Sequence, residues 1–168
     1  MDHLLEQLRI LYREVDERAA ELVKIHLSRL NCGKGCCECC LDDLTVFRIE
    51  AENICREYTD LLQDDLPHTT GMCAFLDVEG SCRIYPDRPY VCRTQGLPIR
   101  WFEELPDSQY VEYRDICPLN EKGPAPETMN EDECWSVGPY ESRLARLQTE
   151  LDSGRLTRVR LRDLFRGG

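Results

Sequence analysis

Leu4, Leu8, Leu11, Val15, Ala19, Leu22 and His26 recur at spacings of three and four with charged residues between them. That period predicts a long amphipathic helix ending near Leu30-Asn31. A second stripe of Phe47, Ala51, Ile54, Tyr58 and Leu61 predicts another helix, with Thr45 as N-cap and a stop before Pro67. From Cys73 the period shortens. Cys73-Ala-Phe-Leu and Ser81-Cys-Arg-Ile-Tyr85 flank Asp77-Val-Glu-Gly80 and predict a short hairpin. A second hairpin is expected from residues 99–102 to 110–113, turning at Pro106-Asp-Ser, with Trp101 and Phe102 in the core. Residues 120–128 read as an exposed loop. A last helix begins near Pro139, carries Leu144, Leu147 and Leu151, and stops at Gly154. The basic tail, residues 155–168, carries Leu156, Val159, Leu161, Leu164 and Phe165, and suits docking on an acidic body or binding a partner.

These elements predict an α+β protein, a small single domain in which helices frame an irregular cysteine-rich metal-binding centre with short β-hairpins. Residues 1–31 form the amphipathic helix, 32–120 the cysteine-cluster core, and 121–168 a loop, a helix and a basic tail packing on that core. A chain of 168 residues can bury one real core. The 42% hydrophobic content includes eleven cysteines, so the apolar core is thin and a bound metal would supplement it.

Charge narrows the function. A formal net charge of −11 makes the chain a poor holder of nucleic-acid phosphates. No apolar run reaches the roughly 20 residues of a membrane span. The opening Met-Asp-His-Leu-Leu-Glu-Gln has no basic or apolar signal region, so a cytoplasmic location with reduced thiols is expected. Clustered cysteines there read as metal-binding or catalytic rather than as a disulfide framework, and their odd number agrees.

The run Cys32-Gly-Lys-Gly-Cys-Cys-Glu-Cys-Cys40 puts five cysteines into nine residues. Adjacent cysteines pair poorly with each other, whereas thiolates crowded on a glycine-containing loop suit zinc or an iron–sulfur cluster. Gly33 and Gly35 permit the backbone conformations that convergent ligands need. Cys73 and Cys82 lie on the arms of the first hairpin, Cys92 follows the proline-stiffened Tyr85-Pro-Asp-Arg-Pro-Tyr-Val, and Cys117 precedes Pro118. The candidate metal ligands are therefore Cys32, Cys36, Cys39, Cys40, Cys73, Cys82, Cys92 and Cys117, enough for two four-sulfur sites or one site with spectators. Cys37 and Cys134 rank behind them. Cys55 reads as a small buried hydrophobe, His26 as a core or rim histidine, and His68 as a loop residue. Arg88 and Arg93 flank Cys92. Either they stand behind the ligands and neutralise thiolate charge as part of the cofactor-binding site, or they are structural and hydrogen-bonded to backbone or Glu50.

Cys32-x3-Cys36-x2-Cys39 also has the spacing of radical-SAM cluster ligands. The missing βα alternation, and Glu38 where that pattern usually has an aromatic residue, argue against it. No acid–base pair, nucleophile–base pair or phosphate loop is visible, so hydrolysis and nucleotide chemistry are not expected.

Cys32-x-x-Gly-Cys36-x-x-Cys39-Cys40, followed by Thr45, Glu50, Cys73 and Cys82-Arg-Ile-Tyr85-x-x-Arg88-Pro89-x-x-Cys92-Arg93, resembles the cysteine-cluster family described as zinc- or iron-chelating. Its core is similar to that of flagellin lysine N-methylases. The resemblance spans residues 30–120 and implies metal binding through these cysteines, with iron–sulfur assignment favoured in several relatives. Methyl transfer is not implied, because the methylases are much longer. Cys37, Cys55 and Cys134 are additional to the motif. The expected function is a cysteine-ligated metal protein of 4Fe–4S type, with one or two centres and a role in electron transfer or in redox or iron sensing. A zinc-binding structural or protein-interaction module is the alternative. An enzyme whose cluster binds substrate is a second, which leaves enzymatic activity and any protein partner open.

Overall fold

The computed structural model describes residues 1–165. The chain forms two compact units. The first comprises residues 1–9, 33–89 and those described from 145 onward; the second comprises 10–32 and 90–144. Helices and short sheets are both present, so the class is α+β, as expected. Among the described residues, no helix is long and apolar enough to cross a membrane.

Helix α1 (Asp2–Ile25) buries Leu5, Leu8, Leu11, Tyr12, Val15, Ala19 and Leu22, the stripe read from the sequence with Leu5 in place of Leu4 and Tyr12 added. It ends earlier than expected. Beyond Ile25 the chain continues as a hydrogen-bonded turn, in which the N–H groups of Arg29 and Leu30 both bond to the His26 carbonyl. His26 is buried, and its Nε2 lies 2.7 Å from the Glu133 carbonyl, so the ring serves as a structural anchor.

In the first unit, Thr45 is not a cap. It opens strand β1 (Thr45–Phe47), which pairs antiparallel with the tail strand β5 (Arg158–Arg160), Val46 opposite Val159. Helix α2 (Arg48–Glu57) follows directly. Its first N–H groups need acceptors, since the helix supplies none. The buried Glu50 carboxylate accepts from Phe47 N (3.1 Å), and buried Gln148 Oε1 accepts from Ile49 N (3.0 Å). The single helix expected up to Pro67 is broken at Tyr58, which leaves helical geometry (φ −124°, ψ 36°) as its hydroxyl donates to Asp87 (2.9 Å). A short α3 (Thr59–Asp64) completes the segment.

The first expected hairpin shrinks to one bridge between Leu76 and Cys82. The Asp77 carboxylate accepts from Glu79 N and Ser81 N and closes the turn as an Asx-type motif. The unit's apolar core holds Val46, Ala51, Ile54, Leu62, Phe75, Leu76 and Ile84. Leu161 and Phe165 of the tail complete it, the Phe165 ring centred 5.0 Å from that of Phe75.

In the second unit, helix α4 (Tyr90–Arg93) precedes a hairpin of β2 (Ile99–Glu104) and β3 (Tyr110–Asp115). Strand β4 (Trp135–Ser136) joins β2 in parallel, giving the order β3-β2-β4. Helix α5 (Val137–Leu151), which belongs to this unit up to Leu144, starts two residues before Pro139. Phe102 is exposed and Trp101 only half-buried, stacked on Tyr113, contrary to the core position expected of both. The core aromatic is Trp135, whose Nε1 donates to the Tyr90 hydroxyl (3.0 Å) and whose ring stacks on Tyr140. Residues 120–128 are not uniformly exposed either: Asn120 is 0% exposed.

The tail therefore contributes core to the first unit. Phe165→Ala is expected to cost about 3–5 kcal/mol in denaturant unfolding, the usual range for removing a buried aromatic ring. A cost within experimental error would show that the tail is not part of that core.

Candidate metal centre

Seven cysteines belong to the first unit: Cys36, Cys37, Cys39, Cys40, Cys55, Cys73 and Cys82. Two successive turns carry the first four. Cys36 N bonds to Gly33 O (3.0 Å), and Cys40 N to Cys37 O (2.9 Å). Between Gly33 and Cys36, Gly35 adopts φ 84°, a left-handed conformation that favours glycine. The Cys40 thiol donates to the Cys39 sulfur. That hydrogen bond outweighs the partial burial that opposes ionisation, and lowers the Cys39 pKa to about 6.

Cys73 N donates to Cys40 O (2.9 Å), which ties the cysteine turns to the next cysteine segment. Burial pushes the Cys73 and Cys82 thiols up. Amide hydrogen bonds oppose this: the backbone N–H of Phe75 serves the Cys73 sulfur, and that of Ile84 serves Cys82, each from two residues further along. A charge on Cys73 also disfavours one on Cys82, so the two sulfurs are electrostatic neighbours. Arg83 favours both thiolates, Arg162 favours Cys73 and Arg88 favours Cys82, while Asp42 acts against Cys73.

Arg162 has no counterpart in the sequence reading. Its Nε pairs with the Asp42 carboxylate, Nη1 donates to His68 O (2.8 Å), and Nη2 donates to Met72 O (2.9 Å) and Thr69 O (3.2 Å). Asp42 also accepts from Gly71 N (2.9 Å). One guanidinium thus joins the residues beside Cys40 to those beside Cys73. Arg83 acts similarly, donating to Leu66 O (3.0 Å) and Ala74 O (2.8 Å). Arg83 stands in the motif Cys82-Arg-Ile-Tyr85 with no role read for it from the sequence, and Arg162 stands there only as one arginine of the basic tail. Cys37 Sγ lies beside the Gly80 backbone, and Cys55 packs against the apolar core. His68 uses its backbone on Ala74 and Arg162, and its ring Nδ1 meets the Thr69 hydroxyl.

Cys32, Cys92, Cys117 and Cys134 belong to the second unit. Cys32 is exposed, and its sulfur accepts from Asn120 Nδ2 (3.2 Å). Cys92 sits half-buried on α4. Cys117, also half-buried, offers its carbonyl to Asn120 N (2.7 Å). Cys134 is buried, which raises its pKa, while Arg114 and Arg100 pull the other way. Arg93 is buried, pairs with Asp16 (2.5 Å) and lies over the Tyr12 ring (3.8 Å). Arg88 lies over its own neighbour Tyr85 (4.2 Å) and donates to Tyr85 O (3.0 Å).

All eleven cysteines are present as thiols. Among the described residues, no three Cys, His, Asp or Glu side chains stand together as a set that could hold an ion. The donors fit a thiophilic metal in their chemistry: they are sulfurs, three of them served by N–H groups, and a Cβ on Gly96 would occupy the space that Cys32 Sγ takes.

The CxxCxxCC family model, described as "Putative zinc- or iron-chelating domain", matches residues 31–118, more than half of the chain. No curated protein and no solved structure matches it.

In metal-free protein, Cys39 should be thiolate above its depressed pKa of about 6 and lose that form as the pH falls through it. Alkylation of Cys39, followed by peptide mass spectrometry across pH, should give that midpoint. Cys40→Ala removes the donor and should move the midpoint up toward the ordinary thiol value of about 8.5. An unmoved midpoint would exclude Cys40 as its cause.

Proposed function

We propose, from the premise that the chain belongs to the CxxCxxCC family, that its thiolates hold iron–sulfur clusters of 4Fe–4S type. The protein then works as a one-electron carrier or as a sensor of redox state or iron. The observation that supports this reading is the set of N–H groups directed at sulfur: Phe75 N on Cys73, Ile84 N on Cys82 and Asn120 Nδ2 on Cys32. Such bonds spread thiolate charge and raise a cluster's reduction potential. In a chain of net charge −11, a cluster bearing several thiolates needs that relief, and Arg83, Arg88 and Arg162 add to it near Cys73 and Cys82.

The thiols fall into two sets. Cys36, Cys39, Cys40, Cys73 and Cys82 would serve a centre in the first unit, and Cys32, Cys92 and Cys117 one in the second. This distribution favours two centres over one. Binding would draw the side chains into sets that they do not form in this structure, so part of the metal's binding free energy would go into ordering these loops. Zinc uses the same tetrahedral thiolates, and chemical analysis separates the two metals.

Anaerobically purified protein is expected to be brown and to contain iron and acid-labile sulfide. Colourless protein with stoichiometric zinc would replace the cluster reading by a zinc module, and absence of both metals would end the metal reading. With two centres, Cys73→Ser and Cys92→Ser should each remove part of the iron, and the double variant nearly all. If either single variant loses all of it, there is one centre. Cys55→Ala should leave the metal content unchanged, and a loss there would reverse its assignment to the core.

A further inference from the structure

Asn120 ends a 3-10 turn, Pro118–Asn120, and is more deeply buried than asparagine usually is. It is 0% exposed, and every polar group it has is used. Its Nδ2 donates to Cys32 Sγ (3.2 Å) and to Gly96 O (2.8 Å), and its Oδ1 accepts from Asn31 N (2.7 Å). Its backbone N–H donates to Cys117 O (2.7 Å), and its carbonyl accepts from Arg29 Nε (2.8 Å). These partners fix the amide's orientation. Turned over, it would set oxygen against the Cys32 sulfur and the Gly96 carbonyl, and NH2 against the Asn31 N–H.

A neutral thiol is a weak acceptor, so a buried amide proton spent on one is poorly compensated. A thiolate is a charged acceptor and makes that bond strong. Gly96 points the same way. It adopts φ 91°, and a Cβ there would collide with Cys32 Sγ. Backbone and amide together make a seat for the sulfur, while Cys32 itself remains exposed.

We propose that Asn120 is a positioning residue for Cys32 as a metal thiolate, its amide holding the sulfur and drawing off part of its charge in the space that Gly96 leaves open. The proposal rests on the metal-binding reading above. It adds that Cys32, the first cysteine of the cluster run, is tuned by a side chain just beyond the far end of the family match, which covers residues 31–118.

Cobalt(II) is the probe, because its sulfur-to-metal charge-transfer band reports both the number and the charge of the bound thiolates. Cys32→Ser should weaken the band. Asn120→Ala should keep its intensity at saturation but move it to lower energy, since the sulfur regains charge, and should weaken cobalt binding about 10–100-fold. Asn120→Asp puts an oxygen against the sulfur and should weaken binding further. Gly96→Ala should displace the sulfur and mimic Cys32→Ser. A folded Asn120→Ala protein, judged by far-UV circular dichroism, with band position and affinity unchanged would overturn the proposal. If Cys32→Ser also leaves the band intact, Cys32 is not a ligand, and its place in the metal reading fails as well. Cadmium-loaded wild-type protein gives a test without mutation. Scalar coupling between cadmium and the Asn120 amide proton is expected through the N–H···S bond. Coupling to the Cys32 β-protons without it would refute the role of Asn120.

Discussion

A sulfur can carry negative charge within a protein only where hydrogen bonds and positive charge replace the water it gives up. The cysteine segments of this chain follow that constraint. Cys73 and Cys82 are disfavoured as thiolates by burial, and each is met by the N–H two residues on and by nearby arginine charge. Cys39 is less enclosed and is served by the thiol of its own neighbour. Cys32 is exposed and is met by a buried amide. The hydrogen bonds differ from site to site, and each favours the ionised sulfur, while burial still holds the Cys73 and Cys82 thiols above their ordinary pKa.

The same groups bear on the architecture. Arg162 neutralises Asp42 and fills the carbonyls of His68, Thr69 and Met72, so the group that favours the Cys73 thiolate also fixes the backbone on either side of it. The tail that delivers it is anchored by β-pairing and by Leu161 and Phe165 in the core. The arginine's hydrogen bonds add to apolar packing at the same place, where Cys73, Ala74, Phe75 and Leu76 are buried in the core. Asn120 has the same part in the second unit, with Asn31, Gly96 and Cys117 on one side chain and its backbone.

How much of this was legible depended on how local its cause was. The stripe of α1 could be read because helical burial repeats within a few residues, and the β2–β3 hairpin because both its strands and its turn are contiguous. Thr45 was misread because the strand that claims it, β5, lies in the tail. Phe102 was placed in the core on hydrophobicity alone, though the interior position beside β2 is taken by Trp135 from a distant segment. The cysteine loops were visible from spacing. Their supporting residues were not, since Arg162 and Asn120 have no periodicity and resemble ordinary surface residues until the chain closes around them.

The arrangement also bears on what else the thiols could do. Disulfide formation is the competing fate of crowded cysteines, and two features oppose it. Cys36-Cys37 and Cys39-Cys40 are adjacent pairs, whose joining would strain a vicinal ring. The Cys40 thiol is also engaged as a hydrogen-bond donor to Cys39, an arrangement that suits one thiolate and one thiol rather than two oxidised sulfurs. A metal bound by both would displace that remaining proton without closing a strained ring. The hydrogen bond between these neighbouring sulfurs therefore favours the reduced, partly ionised loop over a disulfide.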